Sequence, residues 1–239
     1  MIDLITTVLY FVIVICHACI PWIPIFTPPP PQLGQNITAH NNQLGCVGGI
    51  RSYPFYWPNA HYYKRYCRTG RGLAVVTGNL ASDAALHQTA FIMDNMMATM
   101  ADYIPDKMRK LGFRQAVMGA WPGETVTDLP EYSHLDSQFW RERRGCGATV
   151  LSRVGCNAEE DVLCYADDLY PHMDITVHEF AHSLHKLGFN KLWPQFQQEL
   201  DASYLNAFTN NLWGSGYVGS YAMENSGNTK FYVNISALK

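Results

Sequence analysis

The chain has 239 residues, of which 48% are hydrophobic and 15% are charged, and its formal net charge is −3 at pH 7. This length and apolar content allow one substantial hydrophobic core. The lack of a basic excess argues against nucleic acid or an anionic membrane surface as the partner.

The first twenty residues contain an apolar run, Leu4 to Ile20, that ends at Pro21. Its length is that of a secretory signal core, which cleavage after Ala18 would release, and it is short for a membrane span. Asp3 and the absence of Lys or Arg before the run are atypical of a signal, so a retained signal-anchor is the alternative. We expect a secreted chain, with a membrane contact only if this segment is retained.

Residues 21–45 are predicted to be a proline-rich linker. Four consecutive prolines, 28–31, are typical of a stiff extended spacer. We therefore expect the folded domain to occupy residues 46–239. Two Asn-x-Ser/Thr triplets, at Asn36 and Asn234, are compatible with a glycosylated secreted protein.

Five of the seven cysteines follow the apolar segment. In an oxidising compartment, Cys156 and Cys164 are close enough in sequence to close a short loop, and Cys46 with Cys67 is a second predicted pair. Cys146 would then be free or paired elsewhere.

The central part of the chain alternates between predicted strands and helices. Residues 46–66 are rich in Tyr, Pro and Trp and are predicted to be a loop. The predicted elements are a strand at Leu73–Thr77, a helix from Ser82 or Asp83 to about Met100, a helix at Pro105–Leu111, a strand at Arg114–Met118 and a helix at Leu192–Asn210. The methionines of the first helix are interpreted as core residues.

Several charged stretches have ordinary interpretations. Asp128 and Glu131 lie in a predicted exposed turn and are not assigned to catalysis. The run Arg141–Arg144 is predicted to be a solvated face. The acidic residues of 159–168 are predicted to form a solvated loop, since a calcium loop would need a different spacing.

The most informative pattern is His178-Glu179-Phe180-Ala181-His182. Residues four apart lie on the same face of a helix, so the two histidines can offer imidazoles to one zinc ion. Glu179 then lies beside the site as a candidate general base. Asp174 is a predicted N-cap and Gly188 a predicted C-terminal stop for this helix.

This pattern occurs together with three other motifs of the chain. In combination they resemble the anthrax lethal factor-like zinc metallopeptidases, in particular their small secreted relatives. The resemblance covers roughly residues 62–225. It is carried by HEFAHSLH (178–185), EEDVLC (159–164), TDLPEY (127–132) and LWG followed by YAM-x-N (212–225).

The resemblance implies hydrolysis of peptide bonds in a peptide or protein substrate by a single zinc ion. His178 and His182 would be zinc ligands and Glu179 the general base. Tyr221, at the tyrosine position of the family's Tyr-x-x-x-Asn-x-x-Glu pattern, would stabilise the oxyanion. The implied fold is α+β and zincin-like, with a small twisted sheet, the histidine-bearing helix and a mostly helical C-terminal part.

The third zinc ligand departs from the family pattern. Asn228 stands where the pattern has Glu, and an amide oxygen is a poor substitute for a carboxylate on zinc. Glu224 is the replacement ligand that we predict, in a C-terminus that is divergent or truncated. The alternatives are that Asn228 is the ligand, or that the third ligand is missing and the site holds zinc weakly. His185 is predicted to be a supporting or surface residue. The alternative function is an inactive zincin-fold binding protein.

Overall fold

The computed structural model describes residues 44–210, although not the side chains of residues 203, 204, 207 and 208. The predicted signal segment, nearly all of the linker, both glycosylation triplets, Tyr221, Glu224 and Asn228 lie outside the described residues. Within residues 44–210, no helix has both the length and the apolarity that a membrane crossing requires.

One five-stranded mixed sheet organises the described part of the chain, with its strands in sequential order. The strands are β1 (Arg51–Ser52), β2 (Arg65–Arg68), β3 (Ala74–Thr77), β4 (Arg114–Met118) and β5 (Val154–Ala158). β1 to β3 pair antiparallel, whereas β3, β4 and β5 pair parallel. The mixed α and β content agrees with the predicted class.

The strand bounds show where local pattern was informative. β4 has the predicted bounds, and β3 is one residue shorter than predicted. β1 and β2 fall in or beside the stretch predicted as a loop, because aromatic and proline-rich sequence lacks the alternation of a strand. β5 was not predicted, since its sequence VGCNA contains Gly and Asn, which are depleted in strands. Burial between two layers, rather than propensity, stabilises it.

Seven helices and two irregular turns surround this sheet in residues 44–210. They are α1 (Asp83–Met97), α2 (Tyr103–Lys110), α3 (Ser137–Trp140), α4 (Glu159–Val162), α5 (Ile175–Ser183), α6 (Asn190–Leu192) and α7 (Phe196–Thr209), with a 3₁₀ turn at Val126–Asp128 and a π-helical turn at Leu184–Phe189. Ser82 caps α1 by accepting from the Ala85 N–H at 3.2 Å. α7 begins later than predicted because Trp193 precedes a proline and is extended.

The sheet separates two apolar clusters, because successive residues of a strand point to opposite faces. Val75 and Val117 contact the helical side, where the α1 methionines Met93, Met96 and Met97 are buried, as predicted. Val76 and Met118 face the other side, which is covered by side chains from the loops. The apolar side chains that cover this side include Tyr53, Tyr63, Val126, Leu129 and Tyr132. The long helix α1 and the helix α5 therefore pack on one face, and the aromatic loops, with Trp140 of α3, pack on the other.

Two predictions about charged residues are wrong. Arg144, predicted to be solvated, is buried and pairs with the equally buried Glu160. Glu159 and Asp161 are buried as well, so the acidic stretch is not a solvated loop. Their pattern carried no sign of burial, because the partners come from distant parts of the chain. Glu131 pairs with Arg114 at 2.9 Å, which gives that carboxylate a structural partner.

The disulfides confirm one predicted pair and correct the other. Cys46 pairs with Cys67, as predicted. Cys156 pairs with Cys146 and not with Cys164, because Cys146 lies directly opposite Cys156 on the neighbouring segment. Cys164 is itself disulfide-bonded. Disulfides of this kind are typical of extracellular proteins.

Candidate metal centre

The helix α5 begins at a pair of carboxylates. Asp174 is the N-cap, as predicted, and accepts from the Val177 N–H at 2.9 Å. Asp161, from α4, accepts from the Ile175 and Thr176 N–H groups at 3.1 and 3.3 Å. Together they satisfy the first-turn donors that a helix leaves without an internal partner. The start of α5 is therefore fixed against α4.

Burial raises the pKa values of both capping carboxyls. The pKa of Asp161 rises to about 8, with the nearby Asp174 charge as the second cause. The pKa of Asp174 rises to about 6, although its hydrogen bonds from Val177 and Thr176 act in the opposite direction. The N-terminus of α5 is thus sensitive to pH.

The two predicted ligands, His178 and His182, point at the same spot one helical turn apart. Their Nε2 atoms are 3.1 Å apart, and their rings meet nearly edge-on. Two nitrogens bound to one tetrahedral zinc ion at the usual Zn–N distance would be about 3.3 Å apart. With Glu179 they form the one group of three or more His, Cys, Asp and Glu side chains in residues 44–210 that can hold a metal ion.

The histidines are held in the form that a metal requires. Burial lowers the pKa of His178 to about 4. Burial, followed by the proximity of His178, lowers the pKa of His182 well below its ordinary value. Both rings are therefore neutral at pH 7, and a neutral imidazole offers a lone pair to an ion. The donor set fits a divalent transition metal.

Glu179 is partly buried beside the histidines. Burial raises the pKa of its carboxyl to about 8, while Lys186 and a hydrogen bond from the Gly147 backbone N–H lower it. A carboxyl whose pKa lies near neutrality can both accept and return a proton at physiological pH. A bound cation would stabilise the ionised form and shift its pKa down.

The chain does not leave α5 as predicted. Instead of ending near Gly188, the helix widens into a π-helical turn at Leu184–Phe189. That turn places His185 in the interior, where its Nε2 lies 2.8 Å from Gln197 Oε1 and its ring contacts Phe196. π-helical turns recur next to functional sites. His185 is a supporting residue that connects α5 to α7.

The other predicted site residues, Tyr221 and Glu224, lie outside the described residues, as does Asn228. Tyr132, a buried tyrosine near Glu179, has its hydroxyl committed to the Val154 carbonyl, and burial raises its pKa to about 12. Tyr132 is therefore a packing residue in this arrangement.

Sequence reasoning missed the segment at 144–148, which we call the edge segment. It lies antiparallel to β5 and is joined to it by the bridge between Cys146 and Cys156. Gly145 and Gly147 flank that cysteine, and a side chain at Gly147 would collide with His182. The available signal was the Gly-Cys-Gly triplet, because alternate glycines mark close approach of the backbone to another element.

Searches for similar proteins do not identify a relative: no family model, no curated protein and no solved structure matches this chain.

Proposed function

We propose that this chain is a zinc-dependent peptidase of zincin-like fold that belongs to the anthrax lethal factor-like family and acts outside the cell. The observation that carries the proposal is the convergence of the His178 and His182 Nε2 atoms, 3.1 Å apart, beside Glu179. Structural zinc sites use four protein ligands, whereas a catalytic site keeps a position open.

The proposed chemistry divides between the ion and Glu179. When bound, zinc would supply Lewis-acid activation of water and of a carbonyl group. Glu179 would take the proton from the attacking water and deliver it to the leaving amine. The position of the Glu179 carboxylate beside both imidazoles supports that role. Glu224 remains the predicted third ligand and Tyr221 the predicted oxyanion group.

The edge segment supports a peptide as the substrate. Cys146 exchanges both backbone hydrogen bonds with Cys156, at 3.0 and 2.7 Å. In an antiparallel pair the bonding direction alternates, so the peptide groups of Gly145 and Gly147 face away from β5. An extended peptide could add to this outer side as a further strand, next to Glu179.

The test combines metal analysis with proteolysis. Zinc content of the purified chain is measured by mass spectrometry, and cleavage of an unstructured protein such as casein is followed at pH 7. We expect one zinc per chain and cleavage that Glu179→Gln reduces by about 10²–10⁴-fold while zinc is retained. Glu142→Gln, which changes an exposed carboxylate, is the matched control.

The outcomes separate the two functions that the sequence suggested. His178→Ala should lose zinc, since one of the two converging imidazoles is removed. A wild type that binds zinc but cleaves nothing supports the inactive binding protein. A wild type that never retains a transition metal overturns both the peptidase and the metal site.

A further inference from the structure

The edge segment is attached to the rest of the fold at three points. Its first residue, Arg144, is fully buried and forms an ion pair with Glu160 on α4. The Arg144 guanidinium also donates to the carbonyls of Glu124 and Gly119, at 2.5 and 2.9 Å. An arginine with this many fixed acceptors sets the position of its own backbone. The start of the segment is therefore anchored to the layer that also caps α5.

The middle and end of the segment are attached to β5 and α5. The Cys146–Cys156 disulfide joins two residues whose Cα atoms are 5.0 Å apart. Two residues later, the Ala148 N–H donates to Ser183 Oγ at 2.9 Å, and Ser183 lies in the last turn of α5. The same hydroxyl donates to the Glu179 carbonyl at 2.9 Å. The segment thus bridges the sheet and the helix that carries the histidines.

Between these attachments, the backbone of the segment touches the candidate site. A Cβ at Gly145 would lie 2.7 Å from Glu179 Cγ, and one at Gly147 would collide with the His182 side chain. Contact this close, without any side chain in between, means that a displacement of the segment changes the surroundings of Glu179 and His182 directly.

Between its anchors at Arg144 and Ala148, the segment has few contacts with β5 other than those at Cys146. In the described structure its pairing with β5 is an isolated bridge rather than a strand. Glycine has more backbone freedom to lose than any other residue, and Cys146 has a glycine on each side. The disulfide fixes the residue between those two glycines.

We propose that the Cys146–Cys156 disulfide is a positioning element of the candidate active site. It holds the backbone of the edge segment against Glu179 and His182 and keeps the outer side of the segment aligned with Glu179. The proposal rests on the proposed peptidase function. It assigns this crosslink a role in turnover that the Cys46–Cys67 disulfide, on the opposite edge of the sheet, does not have.

The two disulfides supply a matched pair of variants. Cys146→Ala with Cys156→Ala removes the first crosslink, and Cys46→Ala with Cys67→Ala removes the second, without leaving a free thiol from the broken pair. The sequence separations are 10 and 21 residues. Because a longer closed loop restrains the unfolded chain more, a crosslink that only stabilised the fold would matter more at Cys46–Cys67.

The measurements are kcat at full zinc loading, zinc content, and deuterium exchange of the backbone amides in residues 145–149. We expect Cys146→Ala with Cys156→Ala to keep zinc, to exchange faster in 145–149 and to lose roughly tenfold or more in kcat, since small misplacements at a reacting centre are costly. The Cys46→Ala, Cys67→Ala variant should keep kcat within about twofold, on the same principle, and keep the slow exchange.

Each result has a distinct meaning. Unchanged kcat and unchanged exchange in the Cys146→Ala, Cys156→Ala variant would overturn the positioning role while leaving the peptidase intact. An equal loss of kcat in both variants would also overturn it, because the effect would then follow stability.

If the wild type cleaves nothing, the proposed function fails. Faster exchange in 145–149 of the first variant alone would still support the restraint of the edge segment by the disulfide. If the first variant does not fold, Cys146→Ser with Cys156→Ser, which removes the same crosslink, takes its place with the same exchange and kcat readouts.

Discussion

The β1–β2 edge and the β5 edge of the sheet each carry a disulfide, but the surroundings of the two crosslinks differ. At the β1–β2 edge, Asp94 accepts the Gly45 and Gly70 N–H groups at 3.0 and 2.8 Å, next to the Cys46–Cys67 bond. These hydrogen bonds join the segment before β1 and the segment after β2 to the same carboxylate. At the β5 edge, the crosslinked segment contacts Glu179 and His182.

The comparison shows that a disulfide can affect stability alone or both stability and the chemistry of a site. At the β1–β2 edge the backbone around the disulfide contacts only structural groups among the described residues, so its effect should be on stability. At the β5 edge the neighbouring helix carries the candidate metal ligands, so a shift of the backbone changes the chemistry as well. The position of a crosslink, rather than its strength, decides which consequence it has.

The ion pairs at the two edges should differ most in their effect on stability. Arg144→Met leaves Glu160 buried without its partner and should lower the free energy of unfolding by about 3–5 kcal/mol, as breaking a buried pair does. Arg65→Met, on β2, breaks a pair with Asp83 whose side chain is 60% exposed, and should cost less than about 1 kcal/mol. Urea denaturation measures both. Equal costs would contradict the contrast between the edges.

A glycine substitution should distinguish close packing on α5 from ordinary packing elsewhere. Gly147→Ala puts a methyl group into the His182 side chain and should cost about 1–3 kcal/mol, with weaker zinc binding. Gly78→Ala is the control, since its nearest neighbour would be Tyr62 at an ordinary 3.5 Å. Thermal unfolding and competition with a zinc chelator report the two effects. A Gly147→Ala variant with wild-type zinc affinity would show that the segment can move aside.

One contribution to the pH dependence of stability should come from the carboxyl that caps α5. The pKa of Asp161 is raised to about 8 by burial and by Asp174, so the folded state holds a proton that the unfolded state releases above about pH 4. Its contribution is present below pH 4 and is lost as pH rises towards 8.

In the metal-free protein, the contribution of Asp161 to the free energy of unfolding should therefore fall from pH 5 to pH 8. Asp161→Asn should remove this contribution, which amounts to at most about 1.4 kcal/mol per pH unit, because the carboxyl that titrates is gone. Urea denaturation of wild type and variant in the presence of a chelator at the two pH values is the measurement. The same pH dependence in wild type and variant would show that Asp161 does not titrate in this range.

Local sequence determined the elements whose cause is local. The spacing of His178 and His182 places both on one helical face whatever surrounds the helix, and Asp174 caps it through its own backbone neighbours. The α1 methionine stripe and the bounds of β4 follow from periodicity in the same way. These features need no information about distant residues.

Only the tertiary structure decided the rest. Arg144 is buried because Glu160 and two distant carbonyls surround it, and Cys156 pairs with Cys146 because the edge segment returns beside β5. The π-helical turn after α5 likewise accompanies the contact between His185 and Gln197. Such outcomes depend on which residues contact one another in the folded chain. A local sequence pattern does not contain that information.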